Sequence, residues 1–125
     1  MILLLDAHAL LWWLAEDPQL ATSARTAIAD PATDVFVSAA TIWEIEIKRA
    51  VGKLDAPDGL VQIIVETGFG ILPITGEDAE RAGRLAPHHR DPFDRMLVAQ
   101  AGRLDALIIS QDAVFGAYQV NVLPA

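Results

Sequence analysis

Apolar residues along this chain gather into short, largely continuous runs: Ile2 to Leu5, Val35 to Val37, Ile71 to Ile74, Leu107 to Ile109 and Val120 to Leu123. Such runs suit strands covered on both faces, because neither side of the pleat then meets water. Each run predicts a strand of a mostly parallel sheet.

The segments between the runs carry helix signals. Thr22 or Ser23 can cap a helix holding Ala24 to Ala29, and Gly68 closes one that begins near Pro57. Thr75 precedes Gly76-Glu77-Asp78-Ala79, which puts acids at the positive end of a helix dipole. Asp91-Pro92 reads as an N-cap followed by proline at the first helical position, with Met96, Leu97 and Gln100 continuing the helix.

Thr41 to Lys48 alternates apolar and polar residues and could be a half-buried strand. Helix is the better reading: no turn residue occurs from Ala39 to Val51, and Glu44/Lys48 and Glu46/Ala50 have i,i+4 spacing. Strands alternating with helices predict an α/β fold with a mostly parallel sheet covered on both sides. No repeat, low-complexity segment or Gly/Ser linker divides the chain, so residues 1–125 are expected to form one domain.

Composition narrows the function. With 125 residues, 53% of them hydrophobic, the chain can bury a core unaided. The absence of cysteine excludes disulfides, thiolate metal sites and cysteine nucleophiles, and suits a cytoplasmic protein. The opening Met1-Ile2-Leu3-Leu4-Leu5 has no basic residue before it and is cut short by Asp6, so it reads as a strand rather than a signal peptide. Nothing else approaches the roughly 20 apolar residues of a membrane span. A net charge of -8 argues against a polyanionic partner, yet residues 81–95 run the other way, with Arg81, Arg84, Arg90 and Arg95 against Asp91 and Asp94. These arginines are either solvated helix faces or a patch for a polyanion.

Four acids carry the chemistry. Asp6 and Asp112 follow central strands, where ligands of parallel sheets bind, although each can also cap a following helix. Glu44 sits among apolar residues, with a surface ion pair to Lys48 as its plain alternative. Asp94 lies three residues after Asp91, so Asp91 as N-cap and Asp94 as a capping-box acid is a purely structural option. Brought together, however, such carboxylates form an oxygen cage for a hard divalent cation, the usual means of hydrolysing a phosphodiester. Without the cation the acids would repel each other and the phosphate alike.

The segments around these acids resemble one family. Leu3-Leu4-Leu5-Asp6-Ala7-His8-Ala9-Leu10-Leu11-Trp12-Trp13, Val37 to Ile45, His88-His89-Arg90-Asp91-Pro92-Phe93-Asp94-Arg95 through Ala101, and Ile108-Ile109-Ser110-Gln111-Asp112 are similar, in order, to the four motifs of PIN-domain nucleases, especially VapC-type toxins of bacterial toxin–antitoxin pairs. The third motif is the most specific. The resemblance implies a three-layer α/β/α sandwich, catalytic and metal-binding acids at Asp6, Glu44, Asp94 and Asp112, Mg2+ or Mn2+ as cofactor, an RNA substrate, a VapB-like antitoxin and a homodimer. Ala7 departs from the family, which commonly has Thr or Ser beside the first acid; Ser38, Ser110 and Asp91 are candidates to orient the ligands instead.

His8, His88, His89, Trp12 and Trp13 are tempting additions, but core packing and ordinary solvation account for them. Two rivals remain open. A magnesium-dependent phosphatase would use Asp6 as nucleophile, but it wants a second acid two residues on, where His8 stands. A non-catalytic acidic module would hold a cation or a basic peptide without cleaving RNA.

Overall fold

The computed structural model describes all residues from Met1 to Ala125. Five strands form one sheet: β1 (Ile2–Leu5), β2 (Asp34–Ser38), β3 (Gly70–Leu72), β4 (Leu107–Ile109) and β5 (Asn121–Leu123). Their order is β3-β2-β1-β4-β5 and every pairing is parallel. Six α-helices connect them: α1 (Ala7–Leu14), α2 (Thr22–Ala29), α3 (Ala39–Ala50), α4 (Leu60–Thr67), α5 (Gly76–Arg84) and α6 (Pro92–Leu104). A 3-10 turn covers Ala113–Ala117. The ambiguous stretch from Thr41 is therefore helix.

Side chains alternate across the pleat of β1, and this divides the core into two layers. Leu3 and Leu5 pack with Leu10 of α1, Ala24 and Ile28 of α2, and Leu60 and Ile64 of α4. Leu4 faces the other way, toward Leu97 and Val98 of α6, Phe115 and Tyr118. Leu3, Leu4 and Leu5 are all fully buried, as the continuous run requires. The result is the expected α/β/α sandwich. None of the helices is long and apolar enough to cross a membrane.

Some boundaries differ from the sequence reading, for local reasons. Strand β3 stops at Leu72 rather than Ile74, because Pro73 has no N–H to extend the ladder. Its first residue, Gly70, lies under the Phe36 ring, where a Cβ would come within 2.6 Å of ring carbons. Helix α2 begins at Thr22 itself, with Ala21 in the cap position and no side-chain cap bond, so neither Thr22 nor Ser23 serves as N-cap. Helix α4 starts at Leu60, beyond Pro57, after Gly59 in a left-handed conformation (φ 70°).

The site is positioned by topology. The chain builds the sheet outward from β1 through β2 to β3, then returns to lay β4 on the other side of β1. The crevice outside the carboxyl ends of β1 and β4 is the switch point of such a sheet. Asp6 follows β1 directly, its amide continuing the ladder to the Ile109 carbonyl (3.2 Å), and Asp112 follows β4 by three residues.

Candidate active site

Asp6 must leave a fully buried strand and start a helix within one residue. It does both with one carboxylate: the backbone is extended, and Oδ1 accepts the Ala9 amide at 2.9 Å, capping α1. Capping thus fixes the side chain at the mouth of the crevice. Asp112 repeats the device, with Oδ1 accepting the Val114 amide at 3.0 Å. The caps weighed in the sequence are present, and both residues also border the cleft.

Glu44 comes from the second turn of α3, whose start is fixed by Ser38: the serine hydroxyl accepts the Ala40 amide. Glu44 is only 6% exposed, yet it borders the crevice. Its ion pair with Lys48 is present at 2.7 Å, but on the wall of the cleft rather than on an open surface. Hydrogen bonding to Glu44 raises the Lys48 pKa.

Asp94 does not reach back in a capping box. Asp91 alone caps α6, its Oδ1 accepting the Phe93 and Asp94 amides at 2.8 and 3.3 Å. Released from that duty, Asp94 directs Oδ2 to the His89 ring at 2.6 Å. Burial, then repulsion from Asp91 and Glu44, pushes its pKa up to about 7 against the opposing pull of His89. Burial likewise raises the Asp6 carboxyl, although the Ser110 hydroxyl and the Ala9 amide counter it.

Asp6, Glu44, Asp94 and Asp112 therefore border one cleft of about 360 Å³. The donor set is oxygen-rich and underneutralised, with Lys48 as its one lysine and no arginine on the wall. Carboxylates that are buried and repel one another match the demand of a hard divalent cation, which would relieve the repulsion. The residues present fit a metal.

The remaining candidates separate. Asp91 borders the cleft, whereas Ser38 and Ser110 are buried beneath it, with Ser110 Oγ accepting the Asp112 amide at 3.0 Å. Arg90 is exposed between the histidines and α6. Arg81 and Arg84 lie on α5 beside Glu77 and Glu80, in a separate depression. The Arg95 guanidinium is spent on the carbonyls of five residues, Ala82, Gly83, Leu85, Ala86 and His89, and so organises the loop before α6.

Sequence reasoning set aside three residues that the fold brings to the cleft: His89, Trp12 and His8. Trp12 is half-buried and tilts against His8, with ring centroids 5.6 Å apart. The i,i+4 spacing from His8 to Trp12 on α1, one residue into the helix from Asp6, was the available signal. No periodicity announced His89; its ring meets Asp91 and Asp94 nearby and Asp112 and Phe115 from far along the chain.

Comparison with known proteins agrees with this architecture. No curated protein matches in sequence. Among solved structures, VapBC2 from Rickettsia felis, solved bound to a promoter DNA fragment, is similar with a TM-score of 0.74 at 12% identity, covering 98% of both chains. VapBC-1 from nontypeable Haemophilus influenzae is similar at 0.69 and 18% identity, over 98% of this chain and 97% of that one. FitAcB from Neisseria gonorrhoeae gives 0.66 and 23% identity, over 99% and 97%. At these identities the likeness is one of fold. The family pattern of the PIN domain matches residues 3–121, nearly the whole sequence, and the chain belongs to the PIN domain family.

Proposed function

We propose that this protein is a metal-dependent endoribonuclease, the VapC-type toxin of a toxin–antitoxin pair acting in the cytoplasm. The observation that carries the reading is the convergence of Asp6, Glu44, Asp94 and Asp112 on one cleft at the switch point of the sheet. Asp6, Glu44 and Asp94 would hold the principal Mg2+, with Mn2+ able to substitute, and Asp112 would hold it through water or bind a second ion. When bound, such a cation neutralises the phosphodiester's charge and activates water for attack.

The chain's own residues prepare that chemistry. The caps on Ala9 and Val114 fix Asp6 and Asp112 before any ligand arrives, so little side-chain freedom remains to be lost. Lys48 compensates Glu44 and gives the cleft wall a cation for a non-bridging phosphate oxygen. Arg90, exposed between the cleft residues His89 and Asp91 in the chain, is the arginine best placed to steer RNA, with Arg81 and Arg84 available to a longer strand. In-line hydrolysis by water needs no ribose 2′-hydroxyl, so products carry 5′-phosphate and 3′-hydroxyl ends. Incubation of single-stranded RNA with the protein and Mg2+ is expected to give such ends and to stop in EDTA. Cleavage that persists in chelator, or products ending in 2′,3′-cyclic phosphate, would overturn the mechanism.

Two partners belong to the same reading. An antitoxin segment would place Arg or Lys against the acids, replacing the cation's charge with charge-assisted hydrogen bonds. A second copy would cover the stripe of Trp43, Ile47 and Val51, spaced four apart along and just past α3 and exposed by 62, 41 and 63%. Light scattering on the wild type and on Ile47→Glu tests the homodimer: a dimer that becomes monomeric is expected, and a wild-type monomer would exclude it.

A further inference from the structure

His89 lines the acidic cleft and belongs to none of the helices that supply the acids. Its Nε2 lies 2.6 Å from Asp94 and 3.3 Å from Asp112, two carboxylates that arrive from different elements. We infer that His89 is a positioning residue whose Nε2–H holds Asp94 and Asp112 in convergence, so that the affinity of the cleft for a divalent cation depends on it. The inference rests on the metal-dependent reading above and adds a residue to it.

Three features show that the ring is placed for this purpose by the fold. The first fixes its tautomer: the Asp91 amide points at Nδ1 (3.4 Å), so Nδ1 accepts and the ring proton resides on Nε2. A protonated Nε2 has no lone pair for a metal and can only donate. The second fixes its backbone: the His89 amide donates to the Tyr118 hydroxyl (3.0 Å), which donates in turn to the Ala86 carbonyl (2.8 Å), while Arg95 donates to the His89 carbonyl (3.1 Å). Tyr118 itself is buried at 8% exposure. The third is packing, since the ring meets the buried Phe115 edge-on with centroids 6.4 Å apart.

The geometric need is plain. Asp94 rises from the first turn of α6 and Asp112 from the end of a loop after β4, and no hydrogen bond or ion pair joins the two carboxylates directly. One oxygen of each lies within 4.8 Å of the other, where like charges drive apart. A fixed N–H bonded to Asp94 and facing Asp112 at 3.3 Å offsets the repulsion, the task that outer hydrogen-bond partners perform at metal sites.

The test is Mn2+ binding to the full chain, followed by electron paramagnetic resonance of the free ion, for wild type, His89→Ala and His89→Gln. The Gln amide restores an N–H near the Nε2 position. His89→Ala is expected to weaken Mn2+ binding at least ~10-fold, and His89→Gln to stay within about threefold of wild type, the worth of one weakened hydrogen bond. Nitrogen-14 modulation from a coordinated imidazole is expected to be absent in the wild type. Mn2+ binding by His89→Ala that equals or exceeds wild type would make the ring a bystander or an obstruction. Modulation present in wild type and lost in His89→Ala would make it a direct ligand, and equal weakness of Ala and Gln would reduce it to a packing element; each outcome overturns the inference. Failure of the wild type to bind Mn2+ would instead bring down the metal-dependent reading and this inference with it.

Discussion

Asp91 and Asp94, one turn apart at the start of α6, send their carboxylates in different directions: Asp91 back onto the Phe93 and Asp94 amides, Asp94 out to His89. The two residues are therefore not interchangeable. Asp94→Asn keeps the size and removes the charge, so RNA cleavage is expected to vanish while the melting temperature holds or rises. Asp91→Ala is expected to cost about 0.5–2 kcal/mol, the effect of losing an N-cap, with much of the activity of the folded fraction retained. Denaturation paired with cleavage assays distinguishes them, and reversed phenotypes would refute the assignment.

The raised pKa of Asp94 gives the metal-free protein a pH dependence with a definite sign. The carboxyl titrates at about 7 in the fold and near the ordinary 3.8 when unfolded. Between those values the native state binds more protons, so this residue's contribution to stability falls as pH rises through the window. Thermal melts in EDTA are expected to show a higher melting temperature at pH 5 than at pH 7.5, and Asp94→Asn to flatten the difference. Saturating Mg2+ is expected to stabilise most at the higher pH, where the acids are free of protons.

Asp78 behaves oppositely. It is 1% exposed and binds Arg103 through both oxygens, at 2.6 and 3.0 Å, while completing a capping box with Thr75. Burial alone would raise its pKa, but Arg103 and Thr75 outweigh it and hold the carboxyl at about 2. Its stabilisation is present above the ordinary carboxylate range and is lost as pH falls toward 2. Arg103→Met, which strands the buried Asp78 charge, is expected to lower the melting temperature without altering Mn2+ affinity.

Ala7 lies on the cleft wall beside Asp6 and is 7% exposed. Ala7→Ser would supply a hydroxyl beside the Asp6 carboxylate. Mn2+ binding is expected to tighten at little cost in stability, and unchanged affinity would show that the Ser110 hydroxyl already fills that part.

Much of this fold can be read from apolar runs because Leu3, Leu4 and Leu5 have no solvent face to serve. The acids were legible because strand ends and helix starts are marked by local chemistry: Asp6 and Asp112 cap, and Asp91 announces α6 with Pro92. What was not legible depends on contacts distant in sequence. The His89 amide is held by Tyr118, 29 residues away, and its ring packs on Phe115, and contacts so distant leave no periodic trace. Arg95 looked like a cation for RNA because sequence shows charge and not the carbonyls that charge will meet.

The Arg95 guanidinium gives the loop before α6 a spine made of one side chain. Strands and helices distribute their cohesion over many equivalent bonds, and loss of one is diluted by its neighbours. Here the carbonyls of Ala82, Gly83, Leu85, Ala86 and His89 converge on two nitrogens of a single residue. A lysine, with one ammonium, cannot reach them all in the same planar arrangement. The last turn of α5 and the loop after it should therefore stay closed or open as a unit, and hydrogen–deuterium exchange across residues 82–90 would report one shared opening rate rather than a gradient.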